Sequence, residues 1–162
     1  MNYAELIERV EKATGADREI DARLHVALFD PQDVLLDPGH MGKPPHRPAV
    51  YGAGSKLIRD GWSQSDWDAV AHQVGASKRY TASLDAALAL VEAKLPDHGW
   101  FIRRDDTDAN GKRAAPVYNA ALLYPDALRV CASSAHARPT PALALLAALL
   151  RALEEQKPSA SL

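Results

Sequence analysis

Apolar positions recur at helical spacing at both ends of the chain and alternate only in short runs between them. Over residues 3–14, Leu6, Ile7, Val10 and Ala13 share one face with charged residues opposite, predicting a helix with Gly15 as its C′ residue. The stretch 17–29 satisfies two periods. Ile20, Leu24 and Leu28 fit a helix capped by Asp17, whereas Ile20, Ala22, Leu24, Val26 and Leu28 alternate as in a strand. Ala, Arg and Leu favour a helix, and the short Gly15-Ala16 link suits a helix pair, so a helix is expected.

Between Pro31 and Gly61 periodicity gives way to punctuation. This segment holds five of the 11 prolines and five of the nine glycines. Proline fixes φ and lacks an N–H, so a regular central element is excluded there. We read 30–76 as an insertion or long loop, with a short strand near Leu57-Ile58-Arg59 and a short helix over 65–74 capped by Ser65.

The pattern then sharpens. Thr81 or Ser83 caps a helix running to about Leu95, ended by Pro96. Gly99 to Arg104 reads as a strand, Asp105 to Gly111 as a polar loop ending in an Asn-Gly turn, and Val117 to Tyr124 as the returning strand. Pro125-Asp126 turns into an alternating Leu128, Val130, Ala132. Thr140-Pro141 opens the last helix, cap then N1 proline, with Leu143, Leu146, Leu149, Leu150 and Leu153 on a wide apolar face. These elements predict an α+β fold. A small antiparallel sheet of three to four strands packs on Ala/Leu-rich helices in the order α-α-insertion-α-β-β-β-α, all within one domain spanning 1–162.

Composition narrows the function classes. Ala and Leu supply about 50 of the 162 residues, an excess explained by core construction rather than by a binding stripe. The net charge of −2 offers no bulk positive field for nucleic acid or an anionic membrane. A single Cys131 excludes an intramolecular disulfide and fits a reducing compartment. The first residues lack the basic and apolar regions of a secretory signal, and the longest apolar run, 142–150, is about half of what a bilayer requires. A cytoplasmic protein is expected, with neither nucleic acid nor membrane as partner.

Candidate chemistry is sparse. No two of the six histidines have the spacing of a metal-binding helix, and Cys131 has no second thiol, so no metal or other cofactor is expected. Ser133-Ser134 near His136 lacks a nucleophile elbow and an orienting acid, and Cys131 reads as a small hydrophobe within a strand. The run Asp106-Thr107-Asp108-Ala109-Asn110-Gly111 matches the start of a calcium loop, but Val117 stands where its glutamate belongs. No catalytic residue is assigned, and no enzyme is expected.

Anion binding has more support. Helix N-termini present free N–H groups and a positive dipole end. Two such starts carry an arginine: Arg79-Tyr80-Thr81 with Ser83, and Arg138 with Thr140. Arg103 adds bidentate donors, and Trp100 or Tyr80 could stack on a base. The candidate ligand-binding set is therefore Arg79, Tyr80, Thr81, Ser83, Trp100, Arg103, Arg138 and Thr140. The α-β-β-β-α order is also that of double-stranded-RNA-binding domains, but one arginine replaces their lysine cluster.

The runs Tyr80–Leu88 and Thr140–Leu145 resemble a group of short phage and prophage proteins, the alpha-beta-alpha (ABA) sandwich domain proteins of unknown function. The opening Glu5–Arg9 with Ala13–Ala22, and the aromatic Gly99-Trp100, are similar too. The resemblance covers about residues 3–28 and 79–157. It implies an α+β sandwich and a phage-encoded accessory role in the host cytoplasm, and it brings no catalytic residues. The resulting expectation is a non-enzymatic protein that binds, and as an anti-defence sponge sequesters, a small phosphate-bearing or nucleotide-like host molecule. The alternative is a protein-interaction module or homo-oligomer that contacts a host or phage protein through residues 31–74.

Overall fold

Charge placement defines the first helix as much as its apolar face does. The computed structural model describes residues 3–28, 78–107, 110–125, 129–134 and 136–156. Helix α1 (Tyr3–Lys12) carries Glu5–Arg9 and Glu8–Lys12 pairs at i,i+4, with Leu6, Ile7 and Val10 buried. The hydrogen bond from Lys12 holds the Glu8 carboxyl below its usual range. The helix ends at Lys12 without a left-handed glycine. Among the described glycines only Gly111 has a positive φ, so the expected C′ role of Gly15 is not realised.

The chain forms two compact units, Asp17–Arg79 and, from two separate stretches, Asn2–Ala16 with Tyr80–Leu162. In the first unit, helix α2 (Arg18–Leu28) settles the ambiguous stretch as helical. Asp17 Oδ1 accepts from the N–H groups of Glu19 (2.8 Å) and Ile20 (3.1 Å). Ile20 through Leu24 are buried without a break, which an alternating strand would not give. Charged Asp21 and Arg23 are inside with salt bridges to Arg18 (2.9 Å) and Glu19 (2.7 Å). The expected short strand at 57–59, the helix at 65–74 and the rest of the 30–76 insertion lie outside the described residues.

In the second unit, α3 (Leu84–Lys94) starts at Ser83, whose Oγ accepts from Ala86 N. Strands β1 (Gly99–Thr107), β2 (Arg113–Leu123) and β3 (Val130–Ser133) form an antiparallel sheet in the order β1-β2-β3. Both strands of the first hairpin are longer than the sequence predicts. Asp105, Asp106 and Thr107 belong to β1 rather than to a loop, and β2 starts before Pro116. The register slips there: Asp105 pairs with Val117, but Thr107 pairs with Arg113. This irregularity accommodates Pro116, which has no N–H for the ladder. Gly111, at φ 74°, serves the turn.

Helix α4 (Pro141–Glu155) forms the centre of this unit, packing on β2, β3, α1 and α3. Thr140 caps it, accepting from Leu143 N at 3.2 Å, with Pro141 at its start. The sequence predicts one wide apolar face. The structure buries every residue from Ala142 to Leu150, because leucines and alanines meet neighbours all round the helix. Ala120, Leu122 and Ala132 share the most deeply buried face of the sheet. The fold is thus α+β, with three antiparallel strands among the described residues. No helix among them is long and apolar enough to cross a membrane.

Candidate functional site

The expected anion-binding residues divide by how their polar groups are used. At the start of α3, Tyr80 and Thr81 are only 2% and 1% exposed, and Ser83 gives its oxygen to the helix. Exposed Arg79 belongs to the other compact unit. At the start of α4, the Thr140 hydroxyl likewise occupies an N–H of its own helix. Each cap therefore fills part of the donor set that a phosphate would need.

Arg138 lies inside the fold, 7% exposed. Its Nε donates to the carbonyl of His136 (3.0 Å), and its Nη1 donates to the carbonyl of Glu11 in α1. Its main chain exchanges two hydrogen bonds with Tyr118 in β2, at 2.7 and 2.8 Å. Glu11 also receives Arg151 of α4, with 2.6 Å between Nη2 and Oε1. This arginine cluster joins α1, the sheet and α4.

Trp100 and Arg103 sit on β1 an odd number of residues apart, so they point to opposite faces of the sheet. Trp100 is in register with Leu122, Arg103 with Asn119. The structure does not bring these two together as one stacking and charge-binding face. Arg103 is exposed and pairs along its own strand with Asp105 (3.3 Å); Arg104 pairs likewise with Asp106 (2.7 Å). The hydrogen bond that Arg104 donates to Asp106 is the main cause that raises its pKa. Asp106, the first aspartate of the run that matches a calcium loop, thus serves as the partner of a strand arginine.

What sequence reasoning missed is the surface that β1 presents. Trp100 is 43% and Phe101 46% exposed, and among the described residues no strand pairs with the outer edge of β1. Two adjacent aromatics on a strand must face opposite sides, so at most one can join a single core. That rule was available from Trp100-Phe101 alone. Beyond the start of β1, His98 lies against the Tyr124 ring with centroids 6.1 Å apart, and the Arg129 guanidinium sits 5.1 Å from the centre of that ring. Cys131 on β3 is half-buried, and burial pushes its thiol pKa up.

No family model, curated protein or solved structure matches the chain.

Proposed function

We propose that the chain is a non-enzymatic protein-binding module whose working surface is β1. The observation that carries this reading is the adjacent Trp100 and Phe101, each nearly half exposed, on a strand at the edge of the sheet. An open edge offers a row of N–H and C=O groups to an incoming strand. Exposed aromatics beside it supply rigid apolar area of the kind that anchors interfaces. The expected capture of a phosphate-bearing ligand has less support, because Ser83 and Thr140 serve their own helices and Arg138 serves the fold.

The test uses the full chain with the photo-crosslinking residue benzoylphenylalanine at position 101, and separately at exposed Glu92 on α3. A single crosslinked protein species of defined mass from position 101 alone supports the reading. No adduct at position 101, or equal adducts at both positions, overturns it. A nucleotide that raises the melting temperature of the unmodified chain would instead favour a small-molecule ligand.

A further inference from the structure

Along β1 the residues Arg103, Arg104, Asp105 and Asp106 run plus, plus, minus, minus, with Asp105 half-buried and the other three exposed. Such a run is complementary to itself only when reversed. A parallel in-register copy sets like charge beside like throughout, whereas an antiparallel copy can set Arg103 beside Asp105 and leaves only the residue on the axis facing its own kind. From this pattern we propose that β1 pairs antiparallel with β1 of a second copy of the chain, about a twofold axis at Arg104. The proposal rests on reading β1 as a protein-binding edge and names the partner.

Geometry restricts the register. A twofold axis that relates antiparallel neighbours is perpendicular to the sheet, so each face continues into the same face of the other copy. Paired residues must then be an even number apart, and the axis passes through a residue rather than between two. With the axis at Arg104, Arg103 lies opposite Asp105 of the second copy, and Asp105 opposite its Arg103. Phe101 lies opposite Thr107, so the pairing runs from 101 to 107 within the observed strand. On the other face Ile102 lies opposite Asp106 of the second copy and the two Arg104 side chains meet, each bonded to its own Asp106, so that group of four charges is neutral. An axis at Asp105 would likewise leave a like pair on the axis, and it would pair only 103–107 within the observed strand. Charges on an edge usually deter strand addition. Here they deter other partners and alignments but not this one.

Sedimentation of the full chain across the micromolar range tests the proposal. The unsubstituted chain should dimerise. Arg103→Asp sets aspartate against Asp105, and Asp105→Arg sets arginine against Arg103, so each should weaken self-association roughly tenfold or more. An equimolar mixture of the two variants should recover the dimer, because each supplies what the other lost. The double variant Arg103→Asp/Asp105→Arg, which keeps the pair along the strand, should also dimerise. It carries the test if either single variant fails to fold. A monomeric unsubstituted chain, single variants that associate normally, or a monomeric double variant would each overturn the proposal. A monomeric chain with a crosslink from position 101 to a different protein would overturn self-pairing and leave the protein-binding reading intact. A monomeric chain without any adduct would sink both.

Discussion

Arg138 donates to the main-chain carbonyl of Glu11, a partner 127 positions away in the sequence. The same guanidinium also holds the carbonyl of His136, so one buried side chain fixes the last turn of α1 against the segment that enters α4. Two carbonyls near the end of the sheet and of α1 depend on it.

Replacing Arg138 with alanine should therefore destabilise the fold by about 2–4 kcal/mol, since two accepted hydrogen bonds from a charged donor disappear and their carbonyls lose that donor. Lysine should restore only part, because an ammonium cannot place donors in the guanidinium fork. Urea unfolding followed by circular dichroism measures both. Stability within about 0.5 kcal/mol of the parent for Arg138→Ala would mean that the arginine is not a structural tie.

The two helix caps predict paired results. Thr140→Ala and Ser83→Ala should each cost about 1 kcal/mol, and Thr140→Ser and Ser83→Thr almost nothing. If the alanine variants unfold at the parental urea concentration, the cap bonds contribute nothing measurable.

Gly111 isolates a backbone effect. A Cβ placed there meets no atom within 4 Å, so only the positive φ of 74° resists substitution. Gly111→Ala should cost about 1–2 kcal/mol, and Gly111→Asn clearly less, because asparagine tolerates the left-handed region. Equal melting temperatures for the two variants would contradict this.

Burial raises the pKa of the Cys131 thiol, so the folded chain holds the neutral form at pH values where an unfolded thiol ionises. The contribution to stability is present below the ordinary thiol pKa and is lost as pH rises through the elevated one. Alkylation by iodoacetamide at mildly alkaline pH should be slower for folded than for urea-unfolded protein, with its pH profile displaced upward. Identical profiles would show that the site does not shield the thiol.

Features settled within a few residues were legible in the sequence. Ser83, Thr140-Pro141 and the Asn110-Gly111 turn each act through neighbours no more than three positions away. The hairpin length was not. Pro116 reads as the end of a strand unless an irregular register accommodates it, and Asp105-Asp106 reads as loop unless paired with Arg103 and Arg104 on the same strand. The all-round burial of α4 was hidden because alanine contributes little to a periodicity dominated by leucine, yet it is the small residue that allows close approach. Arg138 looked like a ligand-binding residue for a further reason. Nothing local announces that the main-chain carbonyl of Glu11 will accept its hydrogen bond, and only the long-range packing of α1 on α4 brings them together.

That α1 belongs with α4 rather than with α2 has a consequence in polymer terms. The stretch 17–79 separates α1 from the rest of the larger unit in the sequence, so completing that unit closes the chain over roughly sixty residues. Closure entropy grows only with the logarithm of loop length, so doubling that stretch would cost about 0.6 kcal/mol and trimming it would return as little. The cost weighs on the rate of assembly, because α1 can gain its buried contacts only after a distant encounter with α4. The length of the stretch that separates α1 from α4 therefore weighs little in closure entropy, while the buried pairing of the two helices is what the closure must achieve.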